Sequence, residues 1–517
     1  MLFNSYVFIF IFLPVTLIGF HLFCRQNKHL AAISWLTGAS LFFYGWWNPV
    51  YLVLILGSIA FNYTIGLILN RNSSKAVLTL GVIVNLGLIG YYKYTNFFIE
   101  NINATLGTQI HLERIILPLA ISFFTFQQIA YLVDAYSGKV GRCGFINYCL
   151  FVTFFPQLIA GPIVHHKEML AQFSKNALSH LKSKNLAIGL SIFFIGLFKK
   201  VVLADTISLH ATPVFDAAEQ EVALTFFEAW GGALAYTFQL YFDFSGYSDM
   251  ALGIARMLGI VLPLNFFSPY KAHNIIEFWR CWHITLSRFL RDYLYFPLGG
   301  NRKGPSRRYI NLLLVMAIGG LWHGAGWTFI LWGILHGIYL CLNHLWIDFK
   351  KRRPNTLNNP EKSLLKTWGA RILTFICIVI AWVLFRCESI AGVTQFYTAM
   401  FGGNGISLAP ELAYEANGIL THLGFRFDGM FIDGAFGDPK QGGWLILISL
   451  LLVWFAPNTV ELFRHEKPAL GLTEFDVKGH ARLVWKTSWI WLVATTLIAT
   501  IALMLIQKHS EFLYFQF

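Results

Sequence analysis

The sequence predicts an all-α, polytopic membrane protein, and three observations carry that reading. The 517 residues are 56% hydrophobic and only 13% charged, against roughly 25% charged for a soluble domain. The mean hydropathy is +0.57. Apolar runs recur from one end to the other, and a helical span needs roughly 20 mostly apolar residues.

The runs fall at 6–23, 31–47, 51–70, 76–92, 115–133, 145–164, 186–204, 225–242, 310–342, 369–386, 442–456 and 485–506. They predict about eleven full crossings, plus re-entrant or interfacial helices. No Lys or Arg precedes the first run and no small-residue cleavage site follows it, so it reads as a retained span. Arg25 and Lys28 follow it, uncharged Trp46-Trp47-Asn48-Pro49 separates the next two, and Arg71 and Lys75 follow the third. That alternation puts the first and third loops in the cytoplasm, with the N-terminus and the tryptophan pair outside. The run at 310–342 is too long for one simple span and predicts two helices or a broken one.

Lys350-Lys351-Arg352-Arg353 follows that run. The net charge of +13 is read as cytoplasmic loop charge. Without a soluble basic domain it does not indicate nucleic-acid binding. The seven cysteines form no CxxC pair and read as inert thiols. Residues 265–309 are too charged and aromatic for a lipid-facing span and predict a re-entrant or interfacial helix. Residues 402–443 read as one polar, Gly-rich loop. No repeat of fixed period is present. The chain 1–517 is read as a single membrane domain with its motifs concentrated in a core at 130–345.

Three segments could carry chemistry. In Gly319-Gly320-Leu321-Trp322-His323-Gly324-Ala325-Gly326, a histidine lies deep in an apolar run. That placement is expensive unless it faces a partner or a cavity. Gly320 and Gly324 permit close approach of another helix or a ligand, and an imidazole can take a proton from a hydroxyl and return it. The bland alternative is a histidine bonded to a neighbouring helix. In the segment from Glu277 to Tyr293, helical spacing puts Arg280, His283, Ser287 and Arg291 on one face. That face could meet lipid phosphates or line a passage for an anionic or thioester donor. In Gln239 to Asp249, Asp243 and Asp249 end an apolar span. Asp249 is read as a helix cap, and Asp243 stays open. His165-His166 could ligate a metal but lacks a third ligand at helical spacing, so no metal site is expected. His336, within Gly333 to Gly337, reads as a helix-packing residue, and the pair His344 and Asp348 abuts the basic cluster.

Together these segments resemble the membrane-bound O-acyltransferase family, most nearly its bacterial alginate O-acetylation branch. The likeness runs through Phe154-Phe155-Pro156-Gln157-Leu158-Ile159-Ala160-Gly161-Pro162, Tyr241 to Gly253, Pro263-Leu264-Asn265-Phe266, Glu277 to Gly300, Gly319 to Gly324, Trp382 to Arg386 and Tyr514-Phe515-Gln516-Phe517. It implies a ring of helices around a thin centre, with a tunnel between the cytoplasmic and outer faces. His323 then matches the signature histidine and His283 a second functional one. Under that resemblance His323 is a general base, and His283 orients the donor or stabilises an oxyanion. Trp282 and Trp322 shape the wall. Arg280, Arg288 and Arg291 are phosphate contacts for the donor, while Asp243, Ser245 and Asn265 line the tunnel. The implied donor is acetyl-CoA, with no cofactor bound. The acceptor is an extracytoplasmic polysaccharide such as alginate, served by a separate periplasmic or membrane-anchored SGNH-type acetyltransferase. The implied location is the bacterial cytoplasmic (inner) membrane, with membrane lipid around a multi-pass chain. A covalent acyl-histidine relay, D-alanyl transfer to teichoic acid, and a non-catalytic transporter or scaffold are the alternatives.

Overall fold

Long apolar runs with few helix breakers fold as helices because lipid offers the backbone no other partner. The computed structural model follows that rule and describes residues 1–141, 143–173, 182–352, 364–412, 419–422, 424–432, 434–475 and 483–506. Arg353 and the terminal Tyr514 to Phe517 lie outside the described residues.

In chain order the principal helices are α1 (Leu13–Arg25), α2 (His29–Gly45), α3 (Val50–Arg71), α4 (Lys75–Ile89), α5 (Thr95–Leu106), α6 (Ile121–Tyr136), α7 (Phe145–Thr153), α8 (Ser183–Phe198), α9 (Asp205–Glu219), α10 (Phe226–Met257), α11 (Ile275–Cys281), α12 (Ile284–Leu290), α13 (Pro305–His323), α14 (Trp327–Arg352), α15 (Leu364–Arg386), α16 (Ile390–Met400), α17 (Pro439–Phe455) and α18 (Trp489–Met504). A π-helical turn, Gly90–Tyr94, joins α4 to α5, and another, Lys199–Ala204, joins α8 to α9. Among the described residues, six helical stretches are long and apolar enough to cross a membrane, and α17 and α18 are shorter apolar helices. The other expected runs give helices that are shorter or more polar, such as α2 with 17 residues and α6 with 16.

The chain is an all-α polytopic membrane protein, and its strands are confined to a parallel pair, Ile406–Ser407 with Phe425–Arg426, among the described residues. That pair lies in the segment read as a plain loop, which α17 ends by starting at Pro439. Trp46 and Trp47 are exposed at the α2–α3 turn, as an interfacial belt requires.

The centre is built on α8 against α10. A Cβ on Gly189 would lie 2.6 Å from the Gly253 carbonyl, and one on Gly253 would lie 2.6 Å from the Gly189 carbonyl. Gly196 and Gly246 face each other in the same way. Spaced seven apart on both helices, the two pairs let antiparallel backbones touch, and without a hydrophobic drive in lipid that close packing is what holds helices together.

Helix α10 corrects two readings. It does not end near Asp243 or restart at Asp249, but runs for 32 residues. Both carboxylates are mid-helix ion-pair members. Lys200 Nζ lies 2.7 Å from both Asp243 and Asp205. Lys199 Nζ and Thr459 Oγ1 each lie 2.6 Å from Asp249 Oδ2. Neutralised this way, the aspartates need no helix end.

The segment after residue 265 also departs from expectation. It is a chain of short helices, not one. Trp282 is extended, and His283 sits in left-handed backbone at φ 42°. Arg280 and His283 therefore do not share one continuous helical face.

Candidate active site

The long run at 310–342 is broken into α13 and α14, and the break is Gly324-Ala325-Gly326, directly after His323. The glycines explain the geometry. A Cβ on Gly320 would run into the Phe329 carbonyl oxygen, and one on Gly324 into the Phe329 ring. The expected GxxxG notch is thus filled by one residue of the returning helix. From the other side, a Cβ on Gly333 would strike the Met316 carbonyl, and Gly337 packs on Leu313. The two helices touch backbone to backbone, and His323 is the last residue before the turn.

The His323 ring packs between Trp322, Trp332 and Phe385, with centroids 4.9, 5.2 and 5.2 Å away. The histidine is buried, yet it borders a cavity of about 260 Å³ shared with Trp47, Lys93, Ser122, Phe123 and Trp322. The presence of Trp47 places that cavity toward the tryptophan end of the bundle. Trp322 stacks on Phe126 at 5.1 Å and meets Phe123 at 5.6 Å. It belongs to a small apolar cluster with Phe123, Ile163, Leu286, Leu290 and Val315, distinct from the two larger cores.

Lys93 and Tyr94 are not among the residues the sequence pattern picks out. Lys93 Nζ donates to the carbonyls of Trp322 and His323 at 2.5 and 3.0 Å, and Tyr94 Oη donates to the Leu321 carbonyl at 2.7 Å. Three successive carbonyls at the end of α13, which has no following turn to bond them, are held by adjacent side chains of one π-helical turn. The available signal was an ionisable residue at the margin of an apolar run, in Tyr91-Tyr92-Lys93-Tyr94.

The second predicted histidine lies close by. The Trp322 ring that packs on His323 also faces His283, at 6.4 Å. His283 Nδ1 bonds Asn265 Oδ1 at 3.1 Å, and the same oxygen accepts from Thr285 Oγ1 at 2.9 Å. An acceptor there makes Nδ1 the protonated nitrogen and leaves the imidazole lone pair on Nε2. The Ile284 amide donates to the Asn265 carbonyl at 3.0 Å, which clamps the left-handed backbone. Phe244 closes the far side of the ring at 4.9 Å. The structure therefore brings together His323, Trp322, His283 and Asn265.

It does not gather the remaining candidates there. Trp282 does not touch either histidine ring but stands one ring behind them, 5.0 Å from Trp382 and 5.1 Å from Phe266, and Trp382 in turn packs on Trp332 and Phe385 beside His323. Arg280 is exposed. Arg288 makes a two-point pair with Glu168 at 2.7 and 3.1 Å, and Arg291 one with Asp292 at 2.7 and 3.2 Å. Asp243 is held by Lys200, and Ser245 is buried on the same helix. His336 is buried and accepts from Trp279 Nε1 at 3.3 Å, the packing role read for it. Asp348 pairs with Arg308.

At the opposite end from Trp47, the third group missing from the His165-His166 reading is supplied by α6. Asp134 Oδ2 accepts from His165 Nε2 at 2.7 Å and from Tyr293 Oη at 2.7 Å, with His166 Nδ1 3.7 Å away. His165 Nδ1 accepts the Lys167 amide at 3.3 Å, so Nε2 is the protonated nitrogen and Asp134, His165 and Tyr293 form one hydrogen-bonded network. Burial, reinforced by His165, pushes the His166 imidazole down to about 4.

Comparison with known proteins agrees with this architecture. Residues 133–385 match the model of the MBOAT, membrane-bound O-acyltransferase family. The chain is 42% identical to a peptidoglycan O-acetyltransferase of Helicobacter pylori over 100% of its own length and 98% of that protein's. It is 37% identical to a probable alginate O-acetylase AlgI of Pseudomonas aeruginosa over 100% of both chains. A teichoic acid D-alanyltransferase of Streptococcus thermophilus is 28% identical over 52% of this chain and 68% of that protein. With full-length relatives of that identity and a membrane helix bundle around a buried histidine, this chain belongs to the membrane-bound O-acyltransferase family.

Proposed function

We propose that the chain O-acetylates an extracytoplasmic polysaccharide by taking an acetyl group from acetyl-CoA on the cytoplasmic side and passing it across the membrane at His323. The observation that carries this reading is a single imidazole, fixed at the end of α13, bordering the cavity at the tryptophan end of the bundle. The full-length match to proteins named as O-acetylating enzymes supports acetyl as the group moved. The D-alanyltransferase likeness covers only about half of the chain, which favours acetyl over D-alanyl.

In the mechanism, His323 takes the proton of an acceptor hydroxyl as its oxygen attacks the thioester carbonyl. The intermediate collapses and the thiolate leaves, taking that proton from the imidazolium. General-base assistance of this kind is worth about 10²–10⁴-fold. His283, held by Asn265 with its lone pair on Nε2, orients the donor. Arg280, Arg288 and Arg291 meet the phosphates of CoA at the opposite mouth, Arg288 and Arg291 after giving up Glu168 and Asp292. A separate SGNH-type acetyltransferase completes delivery to the polymer, and the chain sits in the bacterial cytoplasmic membrane.

The test is His323→Ala in a deletion strain, with membrane protein level checked by immunoblot. Base-labile acetate is then measured separately on the cell-wall and exopolysaccharide fractions. Loss of acetate from one fraction names the polymer. Acetate at the wild-type level removes His323 from the chemistry.

A further inference from the structure

Lys93 brings an amino group, charged when protonated, into the wall of the cavity that His323 borders. It is 9% exposed, and among the described residues no carboxylate lies within ion-pair distance of it. A buried ion without a partner costs several kcal/mol. Its two hydrogen bonds go to the Trp322 and His323 carbonyls. Those are neutral acceptors, and a neutral donor suffices for such a task. Tyr94 performs the same task on Leu321 with a hydroxyl, and the Gly324 amide reaches the Gly320 carbonyl. A helix end needs no charge here.

The charge has a counterpart only if one forms during reaction. Resting on the reading of His323 above, the step next to it makes an anion. The acceptor oxygen bonds to the thioester carbon, its proton moves to the His323 imidazole, and the carbonyl oxygen becomes an oxyanion. The carbon–sulfur bond then breaks, and the departing thiolate takes the proton to leave as a thiol. We propose that Lys93 is a further catalytic residue, whose ammonium donates its remaining N–H bond to that oxyanion. Bonding to the Trp322 and His323 carbonyls keeps the ammonium registered to the imidazole, so the base and the electrophile are fixed on one helix end. A buried amine that lacks a counter-charge in the resting site and meets one in the transition state stabilises the second selectively.

The experiment uses the full chain in proteoliposomes, with acetyl-CoA as donor and a maltooligosaccharide as hydroxyl acceptor, read as thiol release. Lys93→Met keeps the packing and removes the charge. It is expected to melt within a few degrees of wild type, to lower kcat by about 10²–10³-fold, the usual loss for one oxyanion donor, and to leave KM for acetyl-CoA within about threefold. Lys93→Arg is expected to recover at least a tenth of the lost rate. Should Lys93→Met prove unstable, Lys93→Ala with and without ethylammonium replaces it, and saturable rescue is the supporting result. The proposal is overturned if Lys93→Met keeps kcat within threefold of wild type. It is equally overturned if the loss lies wholly in KM, or if neither arginine nor ethylammonium restores rate. His323→Ala, run alongside, separates the two ideas: full turnover in that variant overturns the reading of His323 itself, whatever Lys93 does.

Discussion

At the scale of single residues, Asn265 is the hinge of the second histidine. Its side-chain oxygen takes three donors, His283 Nδ1 and the hydroxyl and amide of Thr285, and its backbone carbonyl takes the Ile284 amide. Removing a shared acceptor leaves its buried donors unsatisfied, at about 1–3 kcal/mol each. Asn265→Ala is therefore expected to lower the melting temperature in detergent and to reduce turnover. Asn265→Asp, which keeps an acceptor oxygen, is expected to retain more of both. A loss of turnover in the alanine variant with unchanged melting would locate the effect in the tautomer of His283. Residue identity made His323 legible, since an imidazole in an apolar run has few inexpensive explanations. Lys93 was harder to read. A lysine at the margin of a span resembles an ordinary loop flank, and only the fold shows that its ammonium turns inward onto α13.

At the scale of elements, the α13–α14 hairpin depends on missing side chains. Gly320→Ala puts a methyl against the Phe329 carbonyl, where neither backbone can retreat without parting the helices. Overpacking of this kind costs about 1–3 kcal/mol. A methyl placed on Gly57 of α3 would meet nothing within 4 Å, so Gly57→Ala is the matched control. Thermal melts are expected to drop for the first and hold for the second. Equal melts would mean the hairpin is looser than its contacts imply. The GxxxG spacing and the excess length of 310–342 were both readable in the sequence, because both are properties of one segment. The continuity of α10 was not. Asp243 and Asp249 read as a helix end because their partners, Lys200 and Lys199, lie on a different helical stretch more than forty residues upstream. The break at Trp282 was hidden for another reason. A histidine at φ 42° has no sequence signature, and Asn265 holds it there from outside the helix.

At the scale of the whole molecule, composition alone gave the class. The arrangement did not follow from it. Two large apolar cores and the smaller Trp322 cluster form, a division that no local pattern encodes. Sidedness follows from loop charge and can be measured. In a background lacking other reactive thiols, Trp46→Cys is expected to react with an impermeant maleimide in intact cells, and Gln26→Cys only after permeabilisation. Both positions are exposed. The reverse pattern would invert the orientation and put the His323 cavity on the cytoplasmic face.

The backbone contact between α13 and α14 also bears on how His323 can move. A histidine at the tip of a hairpin whose two backbones touch is carried by both helices at once, so whatever displaces the imidazole has to displace the pair.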